Sequence, residues 1–159
     1  RLSLIRYYQA APSIAGGGAE KALAAAEALR ALDPVRGSLT VIGVHVSGKQ
    51  WPAAFAEVDR LRAEHPALRE ADYQVGRLAA LSDQRQQEGI AALRRFRDAA
   101  PQPGDTPATQ AQFRLGMILE KTGQSAEARS AYRAALAADP NHSLAREALA
   151  RLDGKTPSA

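Results

Sequence analysis

The chain has 159 residues, with 21 lysines and arginines against 17 acidic residues, a net charge of +4. It has no cysteine, which excludes a disulfide framework, a thiolate nucleophile and a cysteine-ligated metal. No apolar run approaches the ~18 residues of a membrane span, and the alanine-rich, aromatic-poor composition is that of helices packed through small side chains.

The sequence opens on Arg1 with neither a methionine nor a signal-peptide pattern, which reads as a trimmed start. Leu2, Leu4, Ile5 and Tyr8 give LSLIRYYQA an apolar side at helical spacing. APSIAGGG cannot continue that helix, because Pro12 and three consecutive glycines interrupt it. Gly16-Gly17-Gly18 ahead of a helix with Lys21 invites a phosphate-loop reading, since helix N-termini bind anions. The G-x-x-x-x-G-K-[ST] spacing and its preceding strand are both missing, so the stretch is read as an inter-helix loop. Ala19–Pro34 is a strong helix with Ala22, Ala26 and Leu29 along one side.

Leu39–Val46 reads by propensity as a strand. The helical segment after it repeats the earlier spacing with Ala54, Val58 and Leu61, and Pro52 sits in its first turn, where a missing N–H costs little. A lone strand between helices would have nothing to pair with. Leu39–Val46 is therefore predicted to be helical. Further on, Val75-Gly76 is followed by Gly89, Leu93, Phe96 and Pro101. Gly76 and Gly89 are 13 residues apart, which places one extra residue in the turn around Ser82–Gln87. PQPGDTPAT adds about five more, with Thr106 as a cap and Pro107 in the first turn of the next helix.

The segment Thr109–His142 carries Leu115-Gly116, Ala128, Tyr132, Ala135 and Asp139-Pro140. Gly123 stands where the first helix must end, and Ser125 can cap the second. SLAREALARLDG then makes one amphipathic helix ending at Gly154, and KTPSA follows. Prolines at helix ends recur at Pro34, Pro66, Pro101 and Pro140, separated by 32, 35 and 39 residues.

The order of Leu115-Gly116, Ala128, Tyr132, Ala135 and Pro140 resembles the tetratricopeptide pattern L-G…A-x₃-F…P, one helix pair of about 34 residues. Gly116 then lets the second helix cross closely over the first, with Ala128 as its small partner and Tyr132 as the wedge between them. The resemblance implies an all-α, right-handed solenoid forming a single domain over residues 1–153. Four helix-turn-helix pairs would cover roughly 1–34, 35–68, 69–103 and 107–142, with a capping helix over 143–153 and a frayed tail over 154–159. The proline and double-glycine interruption of the first repeat is similar to one in some exported bacterial members of the family. That likeness suggests a periplasmic or exported setting, with a cytoplasmic one still open.

By the same resemblance the protein is a non-enzymatic interaction module that holds an extended peptide or a partner's helix in a concave groove lined by the first helices. Three residues before each Gly slot stand Phe113, Tyr73, Leu39 and Tyr7, although Ile42 and Ala10 occupy the last two slots. One turn further come Met117 and Arg77, with Arg114, Glu120 and Lys121 nearby. An apolar, aromatic column edged with positive charge would take an apolar peptide with acidic residues, but packing between adjacent repeats explains the same column equally well. Some family members clamp the terminal carboxylate of chaperone tails with lysine, asparagine and arginine. No asparagine lies in any first helix here, so that clamp is not expected.

Little in the chain points to chemistry. His45, His65 and His142 are far apart and outside any ligand spacing, and carboxylates stand beside arginines, as in Glu57…Arg60 and Glu127…Arg133. No catalytic residue, metal ligand or cofactor is predicted. The basic excess would suit a nucleic-acid binder resembling pentatricopeptide arrays, but those lack the terminal proline and read bases with polar groove side chains. No nucleic acid is therefore expected. A structural or self-associating spacer of a larger exported protein, forming a homo-oligomer, is the other reading.

Overall fold

A computed structural model describes residues 18–154. The expected first helix over Leu2–Ala10, and Tyr7 with it, lie outside the described residues. The described residues form eight α-helices and no strand. They fall into two compact units divided between Ala67 and Leu68, each taken by itself below.

The first unit contains α1 (Ala19–Leu32), α2 (Pro34–Ser47) and α3 (Trp51–Glu64). A single extended residue, Asp33, separates α1 from α2. Its carboxylate accepts the Arg36 N–H at 3.0 Å, and Pro34 fills the first helical position, where its missing donor is harmless. Leu39–Val46 is helical, as its phase against the neighbouring helices requires. β-Branched residues lose only a few tenths of a kcal/mol each in a helix, and burial of Val41, Ile42 and Val44 outweighs that loss. Gly37 meets α1 so closely that an added Cβ would stand 2.2 Å from the Arg30 Cα.

Ala54, Val58 and Leu61 of α3 are fully buried, as their spacing predicts. Glu57 beside them is also buried and gathers two guanidinium groups, from Arg30 at 2.9 Å and Arg60 at 2.6 Å. Arg60 extends the cluster to the Ser38 hydroxyl of α2 at 3.2 Å. Burial pushes the Glu57 carboxyl up. Hydrogen bonding with Arg60 and Ser38, and the charges of Arg30 and Arg60, outweigh it and hold the group below its ordinary value.

The second unit contains α4 (Arg69–Ser82), α5 (Gln86–Asp98), α6 (Ala108–Lys121), α7 (Ser125–Ala138) and α8 (Ser143–Leu152). Consecutive helices pack on each other, and α4 also packs on α6. Its core joins Tyr73, Leu93, Phe96, Leu115, Ile118, Leu119 and Tyr132 to the small residues Ala128, Ala135 and Ala145. Both glycine crossings predicted here are present. A Cβ at Gly76 would lie 2.2 Å from Leu93 Cγ, and one at Gly116 would lie 2.5 Å from Tyr132 Cε1.

Three local expectations are corrected. The turns after α4 and α6 have equal length, Asp83–Arg85 and Thr122–Gln124, so the extra residue of the third pair lies in α4 between Gly76 and Ser82. Ser125 is the first residue of α7 rather than its cap. The preceding Gln124 makes no side-chain cap bond, and Gly123 takes the left-handed φ of 80° that ends the turn. Thr106 is not the cap of α6 either. Pro107 stands at that position, and the Thr106 N–H and hydroxyl both donate to Glu70, each at 2.7 Å.

The two acidic acceptors Glu70 and Asp105 hold the long connection from α5 to α6 against the start of α4. Arg69 donates to Asp105 and to the Phe96 carbonyl, the latter at 2.6 Å, while its guanidinium lies 3.8 Å from the centre of the Phe96 ring. At the far end, His142 caps α8 by accepting the Ala145 N–H on Nδ1 at 3.1 Å. Arg129 ties the C-terminus of that helix to α7 through Asp153 and the Leu152 carbonyl, at 2.9 and 2.7 Å. Ser143, Arg146, Glu147 and Arg151 of α8 are exposed, so a mostly polar surface covers the end of the stack.

Candidate functional site

Between α6 and α8 runs a groove of about 220 Å³. Its walls carry Phe113, Met117 and Lys121 from α6 and Leu144, Glu147 and Arg151 from α8, with Tyr132 of α7 among the lining residues. The Phe113 ring is packed from two sides, with its centre 5.9 Å from that of Tyr132 and 4.9 Å from that of His142. Leu144 faces it with 56% of its surface exposed, the most exposed large apolar side chain in this unit.

Three polar groups lining the groove satisfy one another. The Tyr132 hydroxyl donates to Glu120 at 2.9 Å, and Arg151 donates to both oxygens of the same carboxylate, at 2.6 and 3.0 Å. Burial raises the Tyr132 phenol well above its usual range, and Glu120 adds to the effect against the opposing charge of Arg151. Tyr132 is thus a fixed neutral donor. Lys121 at the rim is paired with Asp83.

The remaining predicted residues lie elsewhere. Tyr73 is 3% exposed, packed at 5.8 Å on Phe96, with its hydroxyl donating to Gln110 of α6 at 3.4 Å. It is part of the α4–α5–α6 core. Arg77 and Arg114 are partly buried on α4 and α6. Arg77 donates to Gln74 at 3.3 Å, and Arg114 reaches the Met117 sulfur at 3.7 Å. Burial lowers the Arg77 guanidinium from its ordinary value and the like charge of Arg114 lowers it further, while Tyr73 and Glu70 act the other way. Leu39 is half-buried on α2, in the first unit.

Sequence reasoning missed the α8 wall, having read that helix only as a cap. Leu144, Glu147, Ala148 and Arg151 follow the i, i+3, i+4, i+7 spacing of one helix face, so the signal was available. Among the described residues no cluster of three or more potential metal ligands occurs, and no helix is long and apolar enough to cross a membrane.

Residues 109–152 match the tetratricopeptide repeat family. That stretch covers α6, α7 and α8, the helices that build the groove. No curated protein matches the chain.

Proposed function

We propose, from the match of residues 109–152 to the tetratricopeptide repeat family, that the second unit of the chain binds an extended, apolar segment of a protein partner in the groove between α6 and α8. Repeats of this family are generally protein-interaction modules and non-enzymatic scaffolds. The observation that carries the reading is Leu144, left largely exposed beside Phe113 and Met117 in one groove. Covering a leucine contributes about 1.5–3 kcal/mol relative to leaving it in water, enough for one anchor of a peptide.

Charge supports a protein partner over nucleic acid. Residues 68–154 carry twelve lysines and arginines against eleven acidic residues. Many of those charges are paired within the fold, as Arg94 is with Glu127, Arg95 with Asp72 and Arg151 with Glu120. Nucleic-acid affinity draws on uncompensated cations and shows a steep salt dependence.

The test is selection of peptides from a random display library on the whole chain, followed by affinity measurement against Leu144→Glu. That residue is exposed, so the variant keeps the wild-type circular dichroism and melting temperature. Selected peptides are expected to centre on large apolar residues and to lose at least about tenfold in affinity, or 1.4 kcal/mol, on the variant. Equal affinity for wild type and variant refutes the groove.

A further inference from the structure

We propose that the crevice between α5 and α7 is a second docking site, which receives an amphipathic helix of a protein partner. That helix carries aliphatic residues at i and i+7, an amide or hydroxyl side chain between them, and acidic flanks. The crevice shares no lining residue with the α6–α8 groove.

The crevice follows from how the second unit packs. Consecutive helices pack on each other and α4 packs on α6, whereas no packing of that extent joins α5 to α7. A cavity of about 260 Å³ therefore stands between α5 and α7, over α6, and a smaller one of about 50 Å³ adjoins it and is lined by Arg69 of α4. Arg97, Gln112 and Leu115 line both. The floor is the face of α6 that carries Ala108, Gln112, Leu115 and Leu119. At about 100° per residue, that face lies opposite Phe113 and Met117. The α7 wall consists of the small residues Ser130, Ala131 and Ala134, which let another helix come close.

The walls also select the occupant. They are helical, so their backbone groups are already used within the helices. An extended segment laid between them would leave its own N–H and C=O groups short of partners, whereas a helix satisfies its backbone internally. From Glu127 to Ala134 the α7 wall rises about 10 Å, the distance from i to i+7 on the incoming helix. The Gln112 amide stands in the floor with no hydrogen-bond partner among the described residues. A helix that covers it must bring a polar side chain, and that pairing sets the register as one buried amide does in a coiled coil. Arg94 is paired with Glu127 across the crevice. The only carboxylate that Arg97 meets is that of its exposed neighbour Asp98, a weakly held surface pair. Arg133, one turn from Ser130, is exposed and has no partner among the described residues. Each wall thus offers a guanidinium to an acidic residue of the partner.

The test uses the whole chain carrying Leu144→Glu, which disables the α6–α8 groove and leaves the crevice intact, so the result does not depend on that groove. A library of stable helices randomised on one face and a library of random linear peptides are selected on it in parallel. Enriched helices with the aliphatic–polar–aliphatic stripe and acidic flanks are expected. They should bind wild type and Leu144→Glu alike and lose at least about tenfold on Ser130→Trp, whose indole fills the crevice. Ser130 is exposed, so that variant keeps the wild-type circular dichroism and melting temperature. Arg97→Glu and Arg133→Glu should each weaken the helices about threefold, and less so at high salt.

A selection that enriches no helix, or helices that bind Ser130→Trp as tightly as wild type, overturns the site. Linear peptides that outcompete the helices and lose affinity on Ser130→Trp assign the crevice to an extended segment and overturn the helix. Sedimentation velocity in which wild type self-associates and Ser130→Trp is monomeric assigns it to a second copy of the chain, with the same consequence. Reselection on Gln112→Leu should replace the central polar residue by an aliphatic one. An unchanged motif overturns the register role of Gln112.

Discussion

Gly116→Ala places one methyl group where the crossing of α6 and α7 leaves no room. The added carbon would lie 2.5 and 2.6 Å from the Cε1 and Cδ1 atoms of Tyr132, where ordinary van der Waals contact begins near 3.4 Å. The ring would have to retreat by close to an ångström. It is 1% exposed, packed at a tilt against Phe113 and anchored through its hydroxyl to Glu120, so it has nowhere to go. Overpacking of this kind costs about 1–3 kcal/mol, with the upper end apt for a pinned ring. Alanine returns about 1 kcal/mol of helix propensity, so the net loss is about 2 kcal/mol. For a unit of roughly 90 residues that lowers the melting temperature by about 8–16 °C.

Gly43→Ala is the internal control. It makes the same substitution in the interior of α2, where an added Cβ meets nothing within 4 Å. There only the propensity remains, and the variant should gain about 0.5–1 kcal/mol. Urea unfolding followed by circular dichroism, with the two units fitted as separate transitions if they resolve, reads both values. A Gly116→Ala protein as stable as wild type, or two variants moving in the same direction, would refute the close crossing.

Glu70→Ala should cost about 2–3 kcal/mol, since it strands the Thr106 N–H and hydroxyl and the Gln74 amide. Hydrogen exchange at the Thr106 amide should speed up while that of α7 does not. Glu57, held below its ordinary value of 4.5, stabilises the first unit fully above that pH, and the contribution is lost as pH falls through the folded value. Glu57→Gln should therefore be less stable than wild type by about 2 kcal/mol at pH 7. The urea midpoints of the two proteins should converge below pH 4.5, and parallel curves down to pH 3 would assign the stability to other carboxylates.

The all-helical fold was legible because its signals are local. Ala54, Val58 and Leu61 repeat the spacing of Ala22, Ala26 and Leu29, and Gly76 and Gly116 mark crossings that only a hydrogen atom fits. Even the β-like run Leu39–Val46 yields to phase, because neighbouring helices leave one face of it to bury and no strand to pair. Offsets of one residue were less legible. Ser125 and Thr106 have cap-forming side chains at nearly the right place, but the helix starts depend on where the turns close, and Thr106 found a stronger acceptor in Glu70.

What the sequence by itself determined is periodicity: which residues share a helix face, where helices stop, and where small residues permit contact. What only the tertiary structure decided is which faces meet. Tyr73 and Phe113 hold equivalent positions on α4 and α6, yet Tyr73 is sealed by Phe96 while Phe113 lies along an open groove with Leu144 opposite. Arg77 and Arg114 are 37 residues apart and become neighbours only through the register of two parallel helices. The physical reason is range. Helix formation is settled within a few residues along the chain, whereas exposure and electrostatic company depend on side chains contributed from one or two helices away.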